Sequence, residues 1–93
     1  MNHKLNQVTE QVNSVREVML QFFREIVAIP SMEGNIGEVG SRVAHEMNGL
    51  EFDEVRFDKM GNVVGRIGVG PRTMVYDSHI DTVGIGSRES WEW

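Results

Sequence analysis

The sequence predicts part of an α/β domain, in which two N-terminal helices precede a three-stranded sheet portion. Two stretches carry apolar residues at steps of three and four, which is the period of one helical face. Three shorter runs downstream are rich in β-branched and aromatic residues and are separated by turn-forming residues. The 93 residues are therefore expected to follow the order helix, helix, strand, strand, strand.

The first helix is predicted to begin at Ser14, with Glu17 completing a capping box, and to stop at Pro30. Residues 1–13 are mostly polar and are expected to be a frayed N-terminal segment, which leaves residues 14–93 as the folded part. A helix that faces the core explains the apolar stripe, and a coiled-coil or dimer seam is the alternative that the period allows. The stripe consists of Val8, Val12, Val15, Met19, Phe22, Ile26 and Ile29.

The second helix is predicted to follow Asn35, as its cap, and to end at Gly49. Gly40 lies inside this helix, where glycine is unfavourable, and a close contact between helix and sheet would explain it. The predicted strands lie at residues 52–57, 63–67 and 73–78. A turn signal between the first two predicts that they form an antiparallel hairpin.

Composition excludes several classes of function. The net charge is −5, from 14 acidic and 9 basic residues. The sequence contains no cluster of Lys and Arg, so nucleic acid is not expected as a partner. No apolar run is long enough to span a membrane. There is no cysteine and therefore no disulfide. The start of the chain lacks the apolar core of a secretion signal, so a cytoplasmic protein is expected.

Two motifs resemble functional sequences only in part. Residues 65–70 are rich in glycine, but Pro71 and a predicted strand follow instead of the helix that a nucleotide-binding loop requires, so a plain turn is expected. His45 and Glu46 match the start of a zinc-protease helix, whose second histidine is replaced by Gly49. His45 is therefore expected to be solvated.

The strongest candidate site is the triplet His79-Ile80-Asp81, at the end of the third predicted strand. Alternate residues of an extended chain face the same side, so His79 and Asp81 should point together. A neutral imidazole is a good zinc ligand, and a neighbouring carboxylate can fix its tautomer and orientation. The alternative is a histidine at a surface edge that pairs with a nearby acid. Catalytic zinc typically takes three protein ligands, and the chain shows no second cluster of them.

Four phrases stand in order at residues 22–31, at 52–55 after the second predicted helix, at 60–65 and at 78–83. Together they resemble the opening of a family of di-zinc peptidases and deacylases, metallopeptidase family twenty. The family includes acetylornithine deacetylase, succinyl-diaminopimelate desuccinylase, aminoacylase and glutamate carboxypeptidase, and the branch of selenium-metabolism-linked hydrolases is the most similar. The combination covers nearly the whole chain from about residue 15.

The resemblance implies a role for two residues. His79 matches a histidine ligand of one of two zinc ions, and Asp81 matches the active-site aspartate that orients that histidine. The family's bridging aspartate, general-base glutamate and further ligands have no counterpart in this chain. Residues 14–93 are therefore expected to be the opening, incomplete part of an α/β/α catalytic domain, with two zinc ions present only in the full-length protein.

The function that the resemblance implies is that of an N-terminal fragment of a zinc-dependent amidohydrolase or peptidase. The full-length protein would cleave an amide bond in a small N-acyl amino acid or peptide-like substrate, would form a homodimer, and would bind neither nucleic acid nor membrane. The fragment itself is expected to be inactive. The alternatives are a small non-catalytic α/β binding or regulatory module, and a half-site that another chain completes.

Overall fold

Three α-helices and a two-stranded antiparallel sheet form the regular structure in the computed structural model, which describes residues 2–32, 34–84, 86 and 88–90. A 3-10 turn, Arg88–Ser90, follows these elements. The mixed α/β class is therefore confirmed. The elements are α1 (Asn2–Ser14), α2 (Arg16–Ala28), α3 (Gly37–Gly49), β1 (Glu54–Phe57) and β2 (Val63–Arg66).

The segment that was expected to fray is helix α1, and the chain changes direction between α1 and α2 at Val15. Val15 has φ −107° and ψ 9°, and no side chain caps α2. The Ser14 hydroxyl instead donates to the Gln11 carbonyl, at 2.7 Å, within α1. The predicted capping box of Ser14 and Glu17 is therefore wrong. No residue of α1 is buried, and the division of the chain at residue 14 stays a prediction.

The ends of the other two helices follow the sequence signals only in part. Pro30 stops α2 as expected, because Ile29 before it is extended, with φ −82° and ψ 121°. Helix α3 ends at Gly49, as predicted. Its N-cap, however, is Ile36, with no side-chain hydrogen bond, so the expected cap at Asn35 is wrong. None of the helices in the described part of the chain has the length and apolar character that crossing a membrane requires.

The predicted hairpin of the first two strands is confirmed, with Phe57 paired to Val63 next to the turn. The Asp58 carboxylate organises this turn by accepting the backbone N–H groups of Met60 and Asn62, each at 2.9 Å. The Asn62 side-chain amide donates to the same carboxylate at 2.8 Å. These hydrogen bonds hold the pKa of the Asp58 carboxyl below its ordinary value of 3.8.

The third predicted strand, at residues 73–78, does not form. Residues 71–84 lie outside helix and sheet, and strand pairing in the described part of the chain joins only β1 to β2. Val75 and Tyr76 are 80% and 87% exposed, so this run neither pairs with a strand nor packs against a core. Strand propensity largely reflects packing against neighbours, and here the run lacks the partner that its composition suits.

Helix α3 lies at the centre of the packed structure because small residues on one face let it approach the hairpin. Val39 and Ala44 are 1% and 7% exposed, and Gly40 is buried beside them. A Cβ on Gly40 would lie 3.5 Å from side-chain atoms of both Phe57 and Val63. The expected contact between Gly40 and the sheet is thus present, at ordinary van der Waals distance.

A tighter approach occurs at Gly65, in the middle of β2. A Cβ there would lie 2.7 Å from the Met47 sulfur and 2.7 Å from a ring carbon of Phe52. Side chains from the end of α3 and the following loop therefore lie directly over the strand. Glycine at this position serves close packing, and no larger residue fits without a shift of its neighbours.

An arginine connects α2 to α3. The Arg42 guanidinium donates through Nε to a Glu25 carboxylate oxygen at 2.9 Å, with a second, shorter contact from Nη2. It also donates to Glu46 at 3.2 Å and lies 5.0 Å from the centre of the Phe22 ring. The Arg42 hydrogen bond is the main cause that lowers the pKa of the Glu25 carboxyl. The apolar and ionic contacts together set how α2 lies against α3.

The two glycines at the contact between α3 and the hairpin, Gly40 and Gly65, should respond in opposite ways to alanine. Gly65→Ala should reduce the free energy of unfolding by about 1–3 kcal/mol, because the methyl group has no space beside Met47 and Phe52. Gly40→Ala should raise it by up to about 1 kcal/mol, because alanine favours the helix and the methyl group meets ordinary contacts. Urea unfolding followed by circular dichroism measures both, and equal effects of the two changes would contradict this packing.

The Asp58 turn should make hairpin stability depend on pH. The folded pKa lies below the unfolded value, so the stabilisation is complete above about pH 4 and is lost as the pH falls through the folded pKa. Thermal unfolding of the wild type and of Asp58→Asn should therefore differ at pH 7, and the difference should shrink toward pH 2. A difference that stays constant over this range would show that the carboxylate charge does not matter.

Candidate functional site

The structure brings the two predicted site residues together. The His79 Nδ1 atom lies 3.0 Å from the Asp81 Oδ1 atom, and both side chains are exposed, at 83% and 60%. Ile80 between them is half-buried, and its Cδ1 atom would lie 3.9 Å from a Cβ on Gly40. The expectation that His79 and Asp81 point together is confirmed, although the segment is not part of a sheet.

The hydrogen bonds of His79 determine which ring nitrogen is free. Nδ1 lies 3.0 Å from the Asp81 carboxylate and 3.1 Å from the Asp81 backbone carbonyl, and both of these oxygens are acceptors. The neutral ring therefore carries its hydrogen on Nδ1, which donates to Asp81. Nε2 then carries the lone pair, and none of the described residues forms a hydrogen bond to it. Histidines that ligate a metal commonly bond through their other ring nitrogen to a carboxylate or a backbone carbonyl in this way.

The backbone around Asp81 is held by Ser31, the last residue of the family-like phrase 22–31, for which no role was predicted. Ser31 is completely buried, and its hydroxyl lies 3.2 Å from the Ile80 carbonyl oxygen and 3.0 Å from the Thr82 hydroxyl. The Thr82 N–H also donates to the Ser31 carbonyl at 3.4 Å. The alternation that places His79 and Asp81 on one side places Ile80 and Thr82 on the other, and this signal could have identified Thr82.

The connection after α2 also runs beside the chain beyond the triplet. A Cβ on Gly84 would lie 3.0 Å from the Met32 sulfur, which is closer than most contacts of real Cβ atoms. Ser31 and Met32 therefore contact residues 80–84 over several positions. The segment that carries His79 and Asp81 is attached to the helical part of the fold through this connection.

The weaker candidates behave as predicted. His45 is exposed on α3, and its neighbour Glu46 bonds to Arg42, so the solvated interpretation of His45 is confirmed. Residues 67–70 form no helix, and Gly68 has a positive φ of 84°, as a turn requires. Across the residues that the structure describes, no group of three or more His, Cys, Asp or Glu side chains could hold a metal ion.

Comparison with known proteins gives one kind of relative. The chain is 43% identical over 86 residues to the uncharacterized protein YgeY of Escherichia coli K12, and the match to YgeY of E. coli O157:H7 has the same extent. The matched region covers 92% of this chain and 21% of the relative. No protein-family model and no solved structure matches the chain.

The matched region corresponds to a small part of the relatives' length. The chain spans about a fifth of the length of the curated relatives that it matches. At 43% identity the matched part of YgeY is expected to share the fold described above.

Proposed function

We propose that this chain supplies the first metal-ligand segment of a zinc-dependent amidohydrolase or peptidase. The full-length protein would cleave an amide bond in a small N-acyl amino acid or peptide-like substrate. In this proposal His79 is a zinc ligand and Asp81 is the active-site residue that orients it. The 93 residues are the opening part of an α/β/α catalytic domain, and they are not active without the rest of that domain.

The observation that carries the proposal is the geometry of His79 and Asp81. An exposed histidine without a functional role needs no fixed tautomer, yet here Nδ1 has two acceptors at 3.0 and 3.1 Å and Nε2 has a free lone pair. Exposure of the pair makes the imidazole accessible to a cation and to further ligands. The family resemblance of the four sequence phrases, with His79 and Asp81 in the last of them, supports the same assignment.

The residues present could supply one ligand of a zinc site, which is His79, together with the carboxylate that orients it. A neutral imidazole with a carboxylate behind it is a common zinc ligand, whereas a catalytic zinc takes about three protein ligands. When bound, zinc would activate water and polarise the scissile carbonyl. Within this chain, Asp81 accepts the Nδ1 hydrogen and orients the ring so that Nε2 is directed outward. The remaining ligands and the general base would come from sequence outside these residues.

The 93-residue chain should show no zinc-dependent hydrolysis of N-acyl amino acids. One oriented imidazole binds zinc too weakly to retain it against water and chelators. Purified chain incubated with zinc and a panel of N-acyl amino acids, with amine release as the readout, measures this. Hydrolysis that EDTA abolishes and zinc restores would show that these residues form a complete site.

A longer polypeptide that carries this chain should lose zinc and activity when His79 is changed. The DNA that follows the codon of residue 93 is read first. In the family that the chain resembles, the bridging aspartate lies in a later aspartate-x-lysine-glycine phrase, so an open frame encoding this phrase would supply the expected ligand. In the longer protein His79→Ala should lower zinc content, measured by mass spectrometry, and abolish turnover. Asp81→Asn should reduce metal affinity or activity by about 10- to 100-fold, because it alters the partner of Nδ1.

The matched control for this experiment is His45→Ala. His45 is an exposed histidine on α3, and its removal should leave zinc content and turnover unchanged. Full activity of the His79→Ala protein would refute the ligand assignment. A stop codon in the reading frame, together with a chain that folds cooperatively and ignores zinc, would instead favour the small binding or regulatory module.

A further inference from the structure

Ser31 is completely buried and forms hydrogen bonds to a distant part of the chain. Its relative exposure is 0%, and it directly follows Pro30, which ends α2 and delivers the serine beneath residues 80–82. In the sequence Ser31 and Ile80 are 49 positions apart, so their hydrogen bond is a long-range tie. No element of the sheet provides this tie, because residues 71–84 are outside it.

The directions of the hydrogen bonds follow from donor and acceptor chemistry. The Ile80 carbonyl can only accept, so the single Ser31 hydroxyl hydrogen is donated to it. The Thr82 hydroxyl then donates to Ser31 Oγ at 3.0 Å. The Thr82 N–H donates to the Ser31 carbonyl. Ser31 thus uses its hydroxyl hydrogen, its hydroxyl oxygen and its backbone carbonyl on the same three-residue segment.

These bonds hold the peptide groups on both sides of Asp81. The Ile80 carbonyl belongs to the peptide group before Asp81, and the Thr82 N–H belongs to the one after it. That second peptide group also carries the Asp81 carbonyl, which accepts from His79 Nδ1 at 3.1 Å. One peptide unit therefore contacts Ser31 through its N–H and His79 through its oxygen.

We infer that Ser31 is the positioning residue that fixes the backbone of Asp81 and thereby the tautomer and orientation of His79. In the described part of the chain Ser31 makes no hydrogen bond to the imidazole, and it acts through Ile80 and Thr82. The inference gives a specific role in the proposed zinc site to a residue outside its ligand set. The role of Ser31 in a zinc site rests on the proposed function. Its effect on the orientation of His79 does not, and this effect can be tested in the metal-free chain.

A purely structural role for Ser31 predicts a different result when its hydroxyl is removed. A buried hydroxyl that only satisfies its own hydrogen bonds would change stability on removal, and the ring of His79, which is 83% exposed, would not respond. A positioning role requires that the His79 tautomer changes when the hydroxyl is lost. The tautomer therefore separates the two roles, whereas stability does not.

The experiment is nitrogen-15 NMR of the histidine rings in the 93-residue chain, at a pH where the rings are neutral. In the wild type the His79 ring should be protonated on Nδ1. In Ser31→Ala this preference should be lost, and the His79 ring should approach the tautomer ratio of His45. The Thr82 amide should also lose protection from hydrogen exchange. The exposed His45 provides the internal reference in every sample.

Two further variants complete the design. Ser31→Thr keeps the hydroxyl and should restore the Nδ1 tautomer, even if its extra methyl group lowers the melting temperature. Ser14→Ala removes a hydroxyl that bonds only within α1 and should change neither His79 nor Thr82. If Ser31→Ala does not fold, Thr82→Val takes its place, because it removes the donor to Ser31 Oγ, and a partial loss of the Nδ1 preference is then expected.

Each outcome decides the inference. An unchanged His79 tautomer in a folded Ser31→Ala chain, or in Thr82→Val where that replaces it, overturns it. Loss of the tautomer without rescue by Ser31→Thr overturns it as well, since the hydroxyl would then not be the cause. The readout involves neither metal nor substrate. A failure here leaves the proposed hydrolase intact, and a longer protein that proves inactive leaves the role of Ser31 intact.

Discussion

The close approach of α3 to the hairpin is the constraint on which the rest of the structure depends. It is possible because Gly40 presents no side chain toward Phe57 and Val63, and Val39 and Ala44 are buried on the same helix. The same face receives Ile80, whose side chain reaches to within contact distance of Gly40. A large side chain at position 40 would move the hairpin and Ile80 away from α3. The segment that carries His79 would then lose its contact with this helix.

Much of the fold could be predicted from local sequence signals. The stop at Pro30, the end of α3 at Gly49 and the hairpin around Asp58 each depend on residues within a few positions of one another. Short-range signals of this kind are visible in a sequence. The caps at Ser14 and Asn35 were wrong because several backbone geometries can begin a helix, and neither α2 nor α3 uses a side-chain cap.

The failure of the strand at residues 73–78 has a different origin. A β-branched run indicates that a segment can form a strand when a suitable neighbouring strand is present. Whether that neighbour is present depends on the whole fold. For the candidate site, alternation placed His79 and Asp81 together correctly. The hydrogen bonds of Ser31 could not be predicted, because its partners lie 49 and 51 positions away and nothing local links the two segments.

For the zinc-ligand role proposed for His79, the attachment of residues 80–82 through Ser31 has a consequence for affinity. In the described part of the chain no β-ladder holds this segment, so we expect it to open as a local unit while the hairpin and α3 stay folded. Only the closed fraction presents a preoriented imidazole, and the apparent affinity for any cation is the intrinsic affinity multiplied by that fraction. Additional chain that packed over the exposed run at Val75 and Tyr76 would raise the closed fraction. Affinity at His79 would then increase without any new ligand.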